Sequence, residues 1–142
     1  MRVHRDDGWG GALCSARRLM ASAVLFLIVA ACGDDPLAPF APEIGNAPDN
    51  FQFQATALRG VSTVAEYDWP CSGAAANVNQ ATALTGGSAT LVIRDAAGAE
   101  VYRRALTANG TFQTASGAAG VWRIRVQLDR ASGAVNFRVQ RP

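Results

Sequence analysis

The sequence contains no lysine, and all 13 of its basic residues are arginine. Schiff-base chemistry and a Ser–Lys catalytic pair both need a lysine amine, so its absence excludes these two kinds of nucleophilic catalysis. Histidine occurs once, as His4, and cysteine three times, as Cys14, Cys32 and Cys71. So few Cys and His side chains leave little material for a metal centre or a Cys–His pair.

Long hydrophobic runs are also lacking, because the longest one covers only residues 19–31. A bilayer-spanning helix needs about 20 apolar residues, so permanent spanning is not expected. Arg17 and Arg18 precede the run, no charge interrupts it and small residues close it. These are the three parts of a secretory signal peptide, which we predict for residues 1–31. The alternative is a short buried helix, but the Asp-Asp-Pro at 34–36 ends the pattern at once.

The run ends in Val29, Ala30, Ala31 and Cys32, which resembles the lipobox of bacterial lipoproteins. The resemblance implies that Cys32 carries diacylglycerol, that the preceding peptide is cleaved and that the new amino terminus is acylated, for example with palmitate. Two or three acyl chains give a stable membrane anchor, whereas one chain binds only marginally. Gly33 rather than Asp follows the cysteine, and the resemblance then implies the outer membrane.

Loss of the leader changes the charge of the chain. Arg2, Arg5, Arg17, Arg18, Asp6 and Asp7 all leave with it. The formal net charge of +2 therefore belongs to the precursor, and the mature chain is close to neutral. This balance argues against nucleic acid as a partner.

The leader also takes the only histidine with it. A Ser-His-Asp triad, a Cys–His pair and a His-based metal site are then excluded, and we expect no metal and no cofactor. Beside the lipidated Cys32, Cys71 remains as a thiol without an intramolecular partner. We expect Cys71 to be buried and inert, with an intermolecular disulfide as the alternative.

Residues 33–50 hold four of the six prolines and show no hydrophobic periodicity. Together with Cys32 they are predicted to form a lipidated, flexible tether over 32–50. In an extended polyproline conformation the segment would reach roughly 50 Å and lift the domain off the lipid. The alternative is that Phe40 and Ile44 pack along the edge of the domain.

From residue 51 onward apolar and polar residues alternate with a period of two, which predicts half-buried strands. The strands are predicted at 51–57, 62–69, 76–84, 89–94, 100–106, 111–114, 121–128 and 135–140. Turns are predicted at Arg59-Gly60, 85–87, 95–98 and 129–133, so that 89–106 and 121–140 form β-hairpins.

This pattern predicts an all-β domain over residues 51–142, an antiparallel β-sandwich of seven to eight short strands. The two inner faces are predicted to bury Phe51, Phe53, Trp69, Leu91, Ile93, Phe112, Trp122, Ile124, Val126, Phe137 and Val139. Residues 121–140 are similar to the final hairpin of small extracellular sandwich modules such as pre-peptidase C-terminal domains. That resemblance implies an accessory, non-catalytic module.

Arg123, Arg125 and Arg138 occupy outward positions of the last predicted hairpin and form a candidate ligand face. An anionic partner, such as a lipopolysaccharide phosphate or an acidic glycan, would offset their charge. The alternative is solvent, or pairing with Glu66, Asp68 or Glu100 across the sheet.

Three aromatic residues, Tyr67, Trp69 and Tyr102, are candidates for stacking on sugars if they are exposed, with a place in the core as the alternative. Glu66 and Asp68 lie about 7 Å apart along one strand, a spacing compatible with glycoside hydrolysis. The alternation of the strand places both carboxylates on the solvated face. Two carboxylates on such a face are usually hydrated surface charges and not a catalytic pair.

These patterns predict a lipid-anchored protein of the cell envelope, with a non-catalytic module that binds a glycan or an envelope protein. The alternative is a structural or assembly accessory that docks on a larger envelope complex. A cryptic carboxylate-dependent glycoside hydrolase is a more distant alternative. An exposed aromatic row would favour a glycan, whereas a bare edge strand or a flat apolar patch would favour a protein partner.

Overall fold

The computed structural model of the protein describes residues 35–142. The predicted signal peptide, the lipobox and Cys32 lie outside the described residues. Within the described range no helix is long or apolar enough to cross a bilayer.

Antiparallel strands make up most of the described chain, which confirms the predicted all-β, sandwich-like fold. The strands are β1 (Glu43–Ala47), β2 (Asn50–Cys71), β3 (Asn77–Gln80), β4 (Ala83–Arg94), β5 (Glu100–Ala105), β6 (Gly110–Gln113) and β7 (Gly120–Gln140). One turn of 3-10 helix, Ala38–Phe40, precedes them. The hairpin predicted at 89–106 is confirmed, because β4 pairs with β5.

Two strands run the whole length of the fold. β2 has 22 residues, β7 has 21, and they pair with each other at both ends. Residues 50–55 of β2 and 135–140 of β7 belong to a five-stranded half, with the order β1-β2-β7-β3-β6. Residues 63–71 and 120–128 belong to a four-stranded half that β4 and β5 complete.

The two halves join where β2 and β7 bend. The pairing register shifts three times between Ala55 and Thr63, and Ala57, Gly60 and Arg130 take positive φ angles. Such bulges bend a strand and increase its twist, which lets one strand pass from one sheet of a sandwich to the other.

Two of the predicted turns are therefore wrong. Arg59-Gly60 and residues 129–133 lie in bends within single strands, so 121–140 is one strand and not a hairpin. Glycine and left-handed backbone serve a bulge as readily as a tight turn. Which of the two forms depends on the partner strand, and here β2 and β7 pair with each other and bend together.

The break predicted at 85–87 is also wrong, because β4 continues through these residues with shifted register. Gly87 has a φ of +71°, and a Cβ there would collide with the backbone carbonyl of Arg130. Glycine at this position permits β4 to pass close to the bend of β7.

One hydrophobic core lies between the two halves. Tyr67 of the four-stranded half packs against Phe51 and Phe53 of the five-stranded half, with ring centroids 5.4 and 6.1 Å apart. Every residue predicted for the core is buried except Phe112. The half-buried Phe112 ring lies under the Arg104 guanidinium, 3.9 Å from its centroid, in a cation–π contact.

The carboxylate of Asp95 fixes the turn between β4 and β5. It accepts hydrogen bonds from the N–H groups of Ala97, Ala99 and Ala118, at 3.0, 2.8 and 2.8 Å. The bond from Ala118, followed by those from the turn, holds the pKa of Asp95 below its ordinary value. The turn is thereby joined to the loop that precedes β7.

The segment predicted to be a tether is part of the fold from Leu37 onward. Leu37 is only 2% exposed and belongs to the core, and β1 pairs with the start of β2. The tether prediction is wrong here because β1 is an edge strand with all five residues exposed. An edge strand that buries neither face leaves no period-two pattern in the sequence.

Candidate functional site

Charged side chains cross the outer surface of the four-stranded half. The register places Asp68 opposite Arg123, Arg123 opposite Arg94, and Arg94 opposite Glu100. A second row runs beside it through Glu66, Arg125, Val92 and Arg103. We call the charged residues of these two rows, which lie on four neighbouring strands, the charged face; Val92 is buried.

Ion pairs link the strands of the charged face. Arg123 Nη2 lies 3.1 Å from Asp68 Oδ1, and Arg125 Nε lies 3.7 Å from Glu66 Oε1. Arg94 Nη2 of β4 lies 3.9 Å from Glu100 Oε2 of β5, and within β5 Arg103 Nη2 lies 2.8 Å from the same oxygen. Arg123 and Arg125 thus pair with acidic residues across the sheet, which is the alternative to an anionic ligand given in the sequence analysis.

The same pairs occupy the two carboxylates considered for glycoside hydrolysis. The side chains of Glu66 and Asp68 are 43% and 65% exposed, and Arg123 approaches both. A shallow cavity of about 330 Å³ beside Asp68 is lined by Arg94 and Arg123 and does not include Glu66. A general acid needs burial or a like charge to hold its proton near neutrality. Glu66 and Asp68 instead lie exposed on an open surface beside Arg123.

Arg138 lies apart from the other two predicted arginines, on the outer surface of the five-stranded half. Gln52 of β2 is directly opposite it on one side, and Asn79 of β3 on the other. Thr111 of β6 lies opposite Asn79, so one transverse row spans four strands. Hence the arginines predicted to form one face belong to two surfaces.

Around this row lies an open groove of about 440 Å³, which we call the amide groove. It is lined by Gln52, Asn77, Asn79, Ala81, Thr111, Asn136, Arg138 and Gln140. Seven of these eight side chains are polar, five of the seven are carboxamides, and none is acidic. The outward positions of β2, β3, β6 and β7 thus combine into one polar concavity.

Two short hydrogen bonds orient side chains within the amide groove. Arg138 Nη2 donates to Gln52 Oε1 at 2.9 Å, and Asn79 Nδ2 donates to Thr111 Oγ1 at 2.9 Å. A guanidinium has five N–H donors, and a carboxamide both donates and accepts. The groove therefore presents a cation and several donors and acceptors on a surface held in place by the strand register.

The three predicted aromatic contacts lie on the inner side of the fold. Trp69 is fully buried in an edge-to-face pair with Trp122, and its Nε1 donates to Ala47 O at 3.1 Å. Tyr67 is half-buried against the core. Tyr102 is only 7% exposed. Trp69 and Tyr102 therefore belong to the core, as the alternative to sugar stacking proposed.

The Tyr102 hydroxyl has a structural partner. It donates to Gln80 Oε1 at 2.6 Å, while Gln80 Nε2 donates to the carbonyls of Ala105 and Ala108, both at 3.0 Å. Burial raises the pKa of Tyr102 above its ordinary value. This buried network fixes the chain between β5 and β6 against β3.

Cys71 is buried, as predicted. It is 1% exposed, and its Sγ lies 3.6 Å from Gly73 O. Burial raises the pKa of the thiol, which disfavours the reactive thiolate.

The sequence reasoning missed most of the amide groove. Of the lining residues only Arg138 is among the predicted ligand contacts, and no local pattern connects Asn77, Asn79 or Thr111 with it. The polar, outward-facing residues of each strand are visible in the sequence. What the sequence lacks is the strand order that brings β3 and β6 beside the end of β7.

Between Asp35 and the end of the chain, no three Cys, His, Asp or Glu side chains come together as a metal site requires. No protein-family model matches the chain, and no curated protein is significantly similar to it. A functional assignment therefore has to come from the geometry of the described surfaces.

Proposed function

We propose that the chain is a lipid-anchored envelope protein whose domain is a non-catalytic glycan-binding module, with the amide groove as its binding site. The observation that carries the proposal is the composition of the groove. Five carboxamides, a hydroxyl and one guanidinium converge there without a carboxylate to neutralise the cation. In the charged face, by contrast, acidic partners approach both Arg123 and Arg125.

A glycan fits this chemistry because each sugar hydroxyl is both a donor and an acceptor. Carboxamides offer the same two capacities, so a row of Asn and Gln side chains can match a row of hydroxyls. Arg138 adds a charge-assisted contact that would be bidentate with a carboxylate. An acidic oligosaccharide, such as one containing uronic acid, is therefore the proposed ligand class.

Recognition in this groove would rely on hydrogen bonds, since the aromatic rings considered for sugar stacking lie inside the fold. Each hydrogen bond exchanged with water contributes only about 0.5–1.5 kcal/mol. Several such bonds must act together, and we expect binding to depend on the length of the oligosaccharide.

A matched pair of arginine variants tests the groove. Arg138→Gln removes the guanidinium from the groove, and Arg123→Gln removes one from the charged face on the same strand. Titration calorimetry with a uronic-acid tetrasaccharide should show about tenfold weaker binding for Arg138→Gln, which corresponds to roughly 1.4 kcal/mol. Arg123→Gln should bind the acidic tetrasaccharide as tightly as the parent protein does. A neutral tetrasaccharide should bind Arg138→Gln and the parent protein with equal affinity. Equal losses in both variants would overturn the assignment of the site.

The anchor is proposed on Cys32 after removal of residues 1–31, with the outer membrane as its location. Intact mass of the membrane-fraction protein tests this part separately, beside a Cys32→Ala variant. The expected chain begins at Cys32 and carries added acyl mass, and the variant remains unprocessed. An unmodified chain that keeps residues 1–31 contradicts the anchor without affecting the groove.

An accessory role in a larger complex is supported by one observation, the edge strand β1, whose five residues are all exposed. Pro42 and Pro48 flank it and Glu43 begins it, which are features that limit strand addition. Ile44→Lys would block pairing at this edge and leave the groove intact. A crosslinked envelope protein that is lost in Ile44→Lys but retained in Arg138→Gln would favour this second role.

A further inference from the structure

We infer that the domain of the mature protein lies directly against a lipid surface, with the segment from Asp35 to Ile44 facing the headgroups. The inference rests on the proposed lipidation of Cys32. It replaces the long flexible tether that composition alone predicts, and it makes zwitterionic lipid headgroups an interaction partner of this segment.

The first observation is the burial of Leu37, which lies only five residues after Cys32 in the chain. Its side chain is part of the core, and its N–H donates to Asp35 Oδ1 at 2.9 Å. The N–H of Phe40 donates to Leu37 O at 2.9 Å, which closes the single helical turn. Phe40 itself packs against the core.

The second observation is that the following residues are held at several points. β1 pairs with β2 from Glu43 opposite Gln54 to Ala47 opposite Asn50. Two hydrogen bonds to the end of β2, one from a side chain on each side, strengthen this attachment. Trp69 Nε1 donates to Ala47 O at 3.1 Å, and Asp68 O accepts from Asn46 Nδ2 at 2.9 Å.

Freeing the segment would therefore expose the Leu37 site in the core and leave the Trp69 indole without its acceptor. Removal of the leucine surface from water stabilises the docked segment. The lost hydrogen bond adds a further penalty, because an indole N–H in the interior needs a partner. The docked segment is thus the stable state of the domain.

Covalent geometry then limits the distance to the membrane. An extended chain spans at most about 3.6 Å per residue, so the Cα atoms of Cys32 and Leu37 are at most about 18 Å apart. If residues 33–50 were free, the reach would be roughly 50 Å. The headgroup region of each leaflet is about 5–8 Å thick, so the link extends at most about 10–13 Å beyond it.

The segment that faces the lipid suits an uncharged surface. Its exposed residues include Pro36, Ala38 and Pro39, and Ile44 is 41% exposed. Asp35 and Glu43 are its only charges, so anionic lipids would repel it and the ammonium groups of zwitterionic lipids would not. The short covalent link, and not electrostatic attraction, brings the two surfaces together.

Energy transfer on the full lipidated protein tests the inference. The protein carries a donor dye on Ala41→Cys and is reconstituted into phosphatidylethanolamine–phosphatidylcholine vesicles with acceptor-labelled headgroups. A second protein has about twenty Gly/Ser residues inserted between Asp34 and Asp35, which adds on the order of 25 Å. A third carries the same insertion after Pro142 as the matched control.

We expect transfer to fall to about half or less of the native value with the N-terminal insertion. The control insertion should leave transfer unchanged. Equal transfer with and without the N-terminal insertion would overturn the inference, provided that the protein floats with the vesicles and carries acyl mass. A protein without acyl mass that does not float would instead contradict the proposed anchor, and this inference with it.

Discussion

The charged face and the amide groove share two strands, β2 and β7, and differ in the residues that surround their arginines. On the charged face, Arg123 and Arg125 of β7 have acidic residues of β2 as neighbours. In the groove, Arg138 of β7 has Gln52 and Asn79 in the corresponding positions. One surface pairs its charges internally, and the other surrounds its arginine with carboxamides and no carboxylate.

The difference shows that an exposed arginine is informative only together with its cross-strand neighbours. Pairs between oppositely charged residues across strands stabilise a sheet modestly and leave little for a ligand. A guanidinium beside carboxamides retains most of its donors. A comparison of the two surfaces therefore separates structural charge from a binding site more clearly than a count of arginines.

The largest expected effects test whether the two surfaces share one cooperative unit. Phe137→Ala lies on the inner side of the groove, and Trp122→Ala on the inner side of the charged face. Each should lower the free energy of unfolding by about 3–5 kcal/mol, because each opens a cavity in the single core. Urea unfolding followed by circular dichroism and tryptophan fluorescence should give one coincident transition. Two separate transitions would mean that the halves unfold independently.

A smaller loss of about 2–5 kcal/mol is expected for Leu37→Ala, which removes the buried contact of the N-terminal segment. Pro39→Ala, in the exposed helical turn, is the matched control and should change little. Thermal unfolding distinguishes the two variants. Equal stability of the two variants would mean that the segment around Leu37 does not pack on the domain and is a flexible tether.

Asp95→Asn should destabilise the turn that borders the charged face, since the amide nitrogen cannot accept the bond from Ala118. The folded-state pKa is lowered, so the carboxylate stabilises the fold above its unfolded pKa of about 3.9. That contribution is lost as the pH falls through the lower folded-state value. The difference in Tm between variant and parent should therefore be large at pH 7 and shrink in acid. Asp68→Asn, on the open surface, should show a smaller difference at pH 7.

The smallest effects belong to the ion pairs themselves. Arg123→Gln and Glu66→Gln should each change the free energy of unfolding by less than about 1 kcal/mol, because the pairs are exposed. Salt should reduce these differences further. Arg138→Gln should be just as neutral for stability, so the two arginine variants would differ only in glycan titrations. A strong destabilisation by Arg138→Gln would remove the contrast between the two surfaces.

The sequence predicts the parts of this molecule that depend on local alternation. The inward side of 121–128 and 135–140 and the hairpin at 89–106 follow from residue type and period. Strand continuity does not, because Arg59-Gly60 has the composition of a turn and forms a bend. The groove could not be predicted, because it depends on the pairing of Asn79 with Arg138. These residues are far apart in the sequence, and no local pattern encodes their pairing.

The bends in β2 and β7 have a consequence for how such a chain can change over generations. A one-residue insertion or deletion within a regular strand transfers every following side chain to the opposite face. At 56–62 and 129–133, bulges already absorb extra residues. Length variation among descendants of this sequence should therefore collect at these two places. The bends would then act as buffers, so that one half of the fold can change in length or register while the other half keeps its pattern of side chains.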